Sequence, residues 1–220
     1  MSKTVLITGA NRGLGLELAQ AFSDSGHNLI LHCRKDGVFL RFRFPCAKVV
    51  MGDLRSPSLL EELGSLAGWV DVLVNNAGVR HTDWIDILPM EKIREMLEVN
   101  LMAPMILSRL LWTALASRKG MIVNIGSLAG QAGGPGESVY AATKAGLAAF
   151  SETLQYDATK AGVRVININL GAMRTDMTAD RRDRDKFIDP AEAARFIVQV
   201  CNQGHLTTRI SSYELKRGLY

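Results

Sequence analysis

The sequence predicts an α/β fold: one domain built on a doubly wound parallel sheet flanked by helices on both faces. Three observations predict it. Short apolar runs alternate with amphipathic stretches along the whole chain. The runs are almost continuously apolar, as strands covered on both faces are. The chain's 220 residues are enough for one well-buried core and few for two. No internal repeat, low-complexity stretch or linker breaks the pattern.

The elements follow in order. Thr4–Thr8 is a short β-rich run, and after a glycine-rich turn Leu14–Ser25 carries a helical pattern. Asn28–Cys33 and Lys48–Met51 are the second and third strands. A helix would normally join them, yet Lys35–Ala47 has no clear period, and a short or irregular crossover is expected there. Pro57–Ala67 is helix-like and Asp71–Asn75 is the fourth strand. Pro89–Ser117 is helical with a bend expected near Asn100 and Pro104. Met121–Gly126 is the fifth strand, Ser138–Ala161 a long helix and Val163–Asn169 the sixth strand. Pro190–Asn202 is a helix, and Thr208–Tyr213 closes the sheet as a last strand. Right-handed crossovers between such strands give the doubly wound form.

Composition excludes several classes. With 47% apolar and 22% charged residues the chain has the make-up of a soluble globular protein. A net charge of +4 is too small and too scattered for a nucleic-acid binder. The densest charge run, Arg181 to Lys186, mixes both signs. Cys33, Cys46 and Cys201 have no metal-type spacing, and their odd number argues against a disulfide framework. Buried, inert thiols in a reducing, cytoplasmic setting are expected, with no metal. The N-terminus lacks the ordered parts of a signal peptide. The stretch Asn100 to Ser117 contains Pro104 and Arg109, so it reads as a buried helix and not as a membrane span.

Four segments place polar or glycine-rich groups on the C-terminal rim of the sheet, where ligands bind in this architecture. The turn Thr8-Gly9-Ala10-Asn11-Arg12-Gly13-Leu14-Gly15 joins a strand to a helix, and a helix N-terminus presents free N–H groups to phosphate. Its spacing is not G-x-G-x-x-G. Asn75-Asn76-Ala77-Gly78 follows the fourth strand, and Ser127 ends the fifth. Tyr140 and Lys144 stand four residues apart at the start of a helix and share a face. A nearby ammonium favours the phenolate, as proton transfer near neutral pH requires.

In this order the residues resemble the short-chain dehydrogenase/reductase family, of the classical type, over residues 3 to 203. The resemblance implies a single NAD(P)-binding Rossmann domain over residues 1–220 that carries both cofactor and catalytic sites. Tyr140 would be the proton donor in reduction and the base in oxidation. Lys144 would lower its pKa and hold the nicotinamide ribose, and Ser127 would polarise the carbonyl. Asn100 would bend its helix and carry a water towards Lys144. Asp53, followed by Leu54, would bond the adenine amino group. Gly9, Asn11, Arg12, Gly13, Leu14 and Gly15 would cradle the cofactor with Asn76, Ala77 and Gly78, and Gly171 and Thr175 would meet its carboxamide end.

No acidic residue ends the second strand to hold a ribose 2′-hydroxyl; Arg34 and Lys35 come before Asp36, and Arg12 adds a cation. A 2′-phosphate suits such cations, so NADP(H) is expected over NAD(H). The family's usual Pro-Gly after the sixth strand is Leu170-Gly171 here, which puts loop rigidity in doubt. The segment Met177–Asp189 is short for a substrate lid, and the chain ends soon after the last strand; both lead to an open pocket. Trp84, Gln131, Met173 and Met177 are candidates for its lining. The expected activity is that of a carbonyl reductase or alcohol dehydrogenase on a small molecule. The rivals are a non-catalytic, cofactor-binding regulator and an NAD-dependent epimerase. The apolar helices at Asn100–Ser117 and Ser138–Ala161, paired across a two-fold axis in the family, imply a homodimer or homotetramer.

Overall fold

The computed structural model describes residues 2–179, 183, 186–203 and 212–216. Seven parallel strands form one sheet: β1 (Thr4–Ile7), β2 (Asn28–Cys33), β3 (Lys48–Met51), β4 (Val72–Asn75), β5 (Met121–Ser127), β6 (Arg164–Leu170) and β7 (Ser212–Leu215). Their order, β3-β2-β1-β4-β5-β6-β7, reverses direction between β1 and β4. That switch point opens a crevice beyond the strands' C-terminal ends.

Alternate residues of each strand serve opposite faces. Val5, Ile7, Val74, Val123 and Ile168 pack under helices α1 (Gly13–Asp24) and α7 (Pro190–Asn202), with α2 (Gly37–Arg43) at the edge. Leu6, Leu73, Ile122 and Val165 pack under α3 (Pro57–Ser65), α5 (Ala103–Arg118) and α6 (Ser138–Ala161). On α1, Leu14, Leu18 and Phe22 are buried at four-residue spacing. Pro57, Pro104 and Pro190 each stand in a first helical turn, where a missing N–H removes no bond.

Two segments are more regular than the sequence indicates. The crossover from β2 to β3 contains the seven-residue α2, whose Leu40 is buried while Val38 and Phe42 stay exposed. The bend expected near Asn100 is a π-helical turn, Glu98–Met102, between α4 (Met90–Leu97) and α5. The apolar helix beyond it buries Leu107, Leu111 and Leu115 in the core. The last strand begins at Ser212, and positions 208–211 of the expected strand lie outside the described residues. So do positions 180–182 and 184–185 of the expected lid and charge run.

The sheet's centre carries a polar row. Asn75, Asn124 and Asn167 lie in register on β4, β5 and β6, all buried. Asn75 Nδ2 donates to Asn124 Oδ1 at 2.8 Å, and Asn124 Nδ2 donates to Ser151 Oγ of α6 at 2.8 Å. Asn167 Nδ2 donates to Asn169 Oδ1 at 2.8 Å.

Candidate active site

The crevice is a cavity of about 710 Å³. Its floor is the glycine turn. Gly9 and Gly13 adopt φ of +67° and +52°, which disfavour any side chain. The first turn of α1 contains no acidic residue, and no side chain caps it. Its leading N–H groups, with the positive end of the helix dipole, face the cavity that Gly13, Leu14 and Gly15 line. Asn76 fixes the turn: its Nδ2 donates to Thr8 O at 2.8 Å and to Gly9 O at 3.1 Å. Thr8 Oγ1 accepts the backbone N–H groups of Asn76 and Ala77, both at 3.0 Å.

Ser127, Tyr140 and Lys144 line the same cavity. β5 runs through Ser127, whose Oγ accepts the Ala129 N–H at 3.2 Å and is hydrogen-bonded to the Tyr140 side chain. Lys144 Nζ donates to Ile125 O at 2.8 Å and lies 6.0 Å from the centre of the Tyr140 ring. Burial brings the Lys144 pKa down to about 8. Burial also pushes the Tyr140 phenol above its ordinary value, against the lowering effect of the Ser127 hydrogen bond and the Arg80 cation; the Glu137 carboxylate adds to the rise. The direction is therefore opposite to the one expected from Lys144, because desolvation outweighs the charges in reach.

Asn100 stands at the middle of the π turn. Its Oδ1 accepts the Val79 N–H at 2.8 Å, and its Nδ2 donates to Val79 O at 2.8 Å and Thr143 Oγ1 at 3.2 Å. The side chain thus ties the loop after β4 to α6. Asp53 is engaged by Arg55, whose Nη2 donates to its Oδ2 at 2.9 Å; this bond, first among the causes, lowers the Asp53 pKa. Arg12 pairs with Asp176 at 3.3 Å, and Arg34 pairs with Glu95 at 3.2 Å. Asn11 Nδ2 donates to Lys35 O at 3.3 Å. Arg12, Arg34, Asp53 and Leu54 all line the cavity, as do Ala77, Gly78, Gly171 and Thr175.

The loop after β6 is held without the missing proline. Gly171 N–H donates to Leu215 O at 2.9 Å, and Met173 bridges Ile188. Met173 and Met177 line the cavity; among its lining residues neither Trp84 nor Gln131 appears, and both are exposed.

Sequence reasoning missed three residues here. His32, 2% exposed, receives the Gly9 N–H on Nδ1 at 3.4 Å, and its Nε2 meets Gly52 O at 3.0 Å, as in the neutral ring with hydrogen on Nε2. Burial lowers its pKa. Arg80 and Glu137 form an ion pair of 2.8 Å in the cavity wall. A single histidine on a strand and lone charged residues in loops, such as Arg80 and Glu137, carry no spacing signal that could have singled them out.

Known proteins resemble this chain in sequence and fold. A family model described as short chain dehydrogenase matches residues 3–186. The 3-oxoacyl-[acyl-carrier-protein] reductase of Rattus norvegicus is 28% identical over 229 residues, covering 96% of this chain and 95% of its own. The 3-oxoacyl-[acyl-carrier-protein] reductase FabG of Escherichia coli K12 is 32% identical over 184 residues, covering 80% of this chain and 75% of its own. The structure of a short-chain dehydrogenase from Sphingobium yanoikuyae in complex with NADPH aligns with a TM-score of 0.81 at 27% identity, over 90% of this chain and 83% of that one. With a glycine turn at the switch point of its parallel sheet and a family model matching residues 3–186, this chain belongs to the short-chain dehydrogenase/reductase family of nicotinamide-dependent oxidoreductases.

Proposed function

We propose that the chain interconverts a carbonyl compound and its alcohol with NADP(H), Tyr140 acting as the general acid or base. The observation that carries this reading is the meeting of Ser127, Tyr140 and Lys144 in the cavity into which the N-terminus of α1 opens. The residues present fit a dinucleotide: the uncapped helix end suits a pyrophosphate, and Gly9 and Gly13 leave backbone open to close approach. Gly9, Asn11, Arg12, Gly13, Leu14 and Gly15 would hold the phosphates, with Asp53 and Leu54 at the adenine and Asn76, Ala77 and Gly78 along the nucleoside. Gly171 and Thr175 would hold the nicotinamide end.

The cofactor, when bound, supplies the hydride. The chain's own residues manage the oxygen and its proton. Negative charge grows on the substrate oxygen and needs donors already in place. The hydroxyls of Ser127 and Tyr140 are those donors. Burial raises the phenol and so favours its protonated form, the form that donates to the substrate oxygen in reduction; the reverse reaction uses the same group as base. Lys144, buried beside it, would bond the ribose hydroxyls, and Asn100 would keep the loop above it in place.

Arg12 and Arg34 at the rim, with Lys35 beside them, support NADP(H) over NAD(H). One domain over residues 1–220 would carry both sites. Cys33 and Cys201 are buried, whereas Cys46, expected to be buried, is exposed; free thiols suit a reducing compartment such as the cytoplasm. The 3-oxoacyl compounds in the relatives' names are one substrate class that this chemistry accepts.

Two measurements test the reading. A panel of aldehydes and ketones with NADPH should reveal turnover that falls about 10²- to 10⁴-fold in Tyr140→Phe, with cofactor affinity retained. Equal turnover in both proteins sinks the assignment. Arg34→Asp should weaken NADPH binding about 10- to 100-fold and leave NADH relatively favoured; tighter binding of NADH than NADPH by the wild type overturns the cofactor preference.

A further inference from the structure

Beyond the catalytic groups, the cavity wall near Tyr140 is apolar, with Leu128, Ala129 and Ala132 among its residues. One ion pair interrupts it. Arg80 and Glu137 come from different loops, and each side chain is only 14% exposed. Burying such a pair in an apolar wall is seldom a gain in stability over well-packed apolar side chains. Polar groups placed singly in a pocket wall orient ligands.

The geometry defines what Arg80 has left to offer. Nε and Nη2 both donate to Glu137 Oε1 at 2.8 Å, and Nη1 donates to Met177 O at 3.3 Å. A guanidinium has five N–H groups, so one hydrogen on Nη1 and one on Nη2 make no bond among the described residues. These two hydrogens are what Arg80 can offer a ligand. Glu137 is itself fixed, because its Oε2 accepts the Gly134 N–H at 2.8 Å. Both charges are close enough to Tyr140 to act on its hydroxyl.

We propose that Arg80, held by Glu137, is a specificity-determining residue that takes a second, uncharged oxygen of the substrate. The preferred substrates are then ketones with an ester, thioester or amide carbonyl close to the reacting carbonyl. A carboxylate in the same place gains less, since Glu137 already neutralises Arg80 and repels a second anion. This inference rests on the reductase reading.

The test uses the full chain with NADPH and three ketones: ethyl acetoacetate, methyl hexyl ketone of similar size, and acetoacetate. The wild type should prefer the oxo ester to the plain ketone by about 10- to 100-fold in kcat/KM, as one charge-assisted bond allows. Arg80→Met should collapse that ratio. An unchanged ratio overturns the proposal, even if both rates fall together, because equal losses mean a structural role. Glu137→Gln, which keeps the shape of the wall, should raise acetoacetate relative to the ester, and no change in that ratio counts against the proposal. Saturation-transfer NMR with NADP⁺ and each ketone reads binding without turnover. If the wild type reduces none of the three, the binding measurement alone decides the role of Arg80, and the reductase reading is left to the wider panel. An ester preference in binding that Arg80→Met removes would still uphold the role of Arg80, and binding indifferent to Arg80 would end it.

Discussion

An ammonium buried against a strand carbonyl, as Lys144 is against Ile125, makes stability depend on pH in a known direction. Its folded pKa, about 8, lies below the ordinary value of 10.5. Below about pH 8 both states are protonated, and the cost of burying the charge is present in full. Between about pH 8 and 10.5 the unfolded chain holds more protons, so stability from this group rises with pH. Burial raises Tyr140 as well, and that residue is present in both proteins compared, so its contribution cancels from the gap. In ligand-free protein the gap in urea midpoint between wild type and Lys144→Met should therefore move in favour of the wild type from about pH 7.5 to 9.5; a flat gap means that Lys144 is solvated. That Tyr140, Lys144 and Ser127 line one cavity was legible in the sequence, because it follows from spacing along one helix and from the end of one strand. His32, Arg80 and Glu137 were not, because each takes its role from a loop distant in sequence. The sign of the Tyr140 shift was also out of reach, since burial depends on what packs around a residue.

At the scale of elements, the strand-to-helix turn is the tightest joint. A Cβ on Gly15 would stand 2.0 Å from Gly9 O, so α1 would have to move off the turn. Gly15→Ala should lower stability by about 1–3 kcal/mol and weaken NADPH binding with it. Gly68, with nothing within 4 Å of the added carbon and no positive φ, is the matched control. Gly68→Ala should stay within about 0.5 kcal/mol of wild type. Thermal midpoints of the two variants check this, and similar midpoints would show that the turn relaxes freely. Strand and helix order was readable from apolar periodicity. The short α2 was not, because it buries only Leu40 of its larger side chains and leaves Phe42 89% exposed. The π turn at Asn100 was readable only as a bend, since a shift in hydrogen-bond pattern has no residue signature of its own.

At the scale of the molecule, α6 carries an exposed row of small residues. Ala142, Ala145 and Ala149 lie exposed along α6, with Tyr156 62% exposed beyond them. Leu97 and Met102, 42% and 46% exposed, extend apolar surface on α4 and the π turn. Small residues let a second helix approach closely, so a two-fold dimer through these helices is expected. Light scattering at micromolar concentration should give at least twice the monomer mass, and Ala149→Arg should return it towards the monomer; a wild-type mass of one chain at every concentration refutes the expectation. The buried asparagine row has a consequence for how the sheet assembles. Strands that are apolar on both sides, such as β5, lose little hydrophobic burial when they slip by one residue, so hydrophobicity alone is a poor guide to alignment. Asn124 removes that ambiguity: only in register does it meet Asn75 on one side and Ser151 on the other. A slip would turn its amide towards α1 and α7, where an unpaired buried amide costs about 1–3 kcal/mol. The row acts as a proofreading mark for the central strands. Replacing Asn75 and Asn124 together by Leu should reduce the yield of correctly refolded protein more than it shifts the unfolding midpoint; an undiminished yield would mean that the mark is not read.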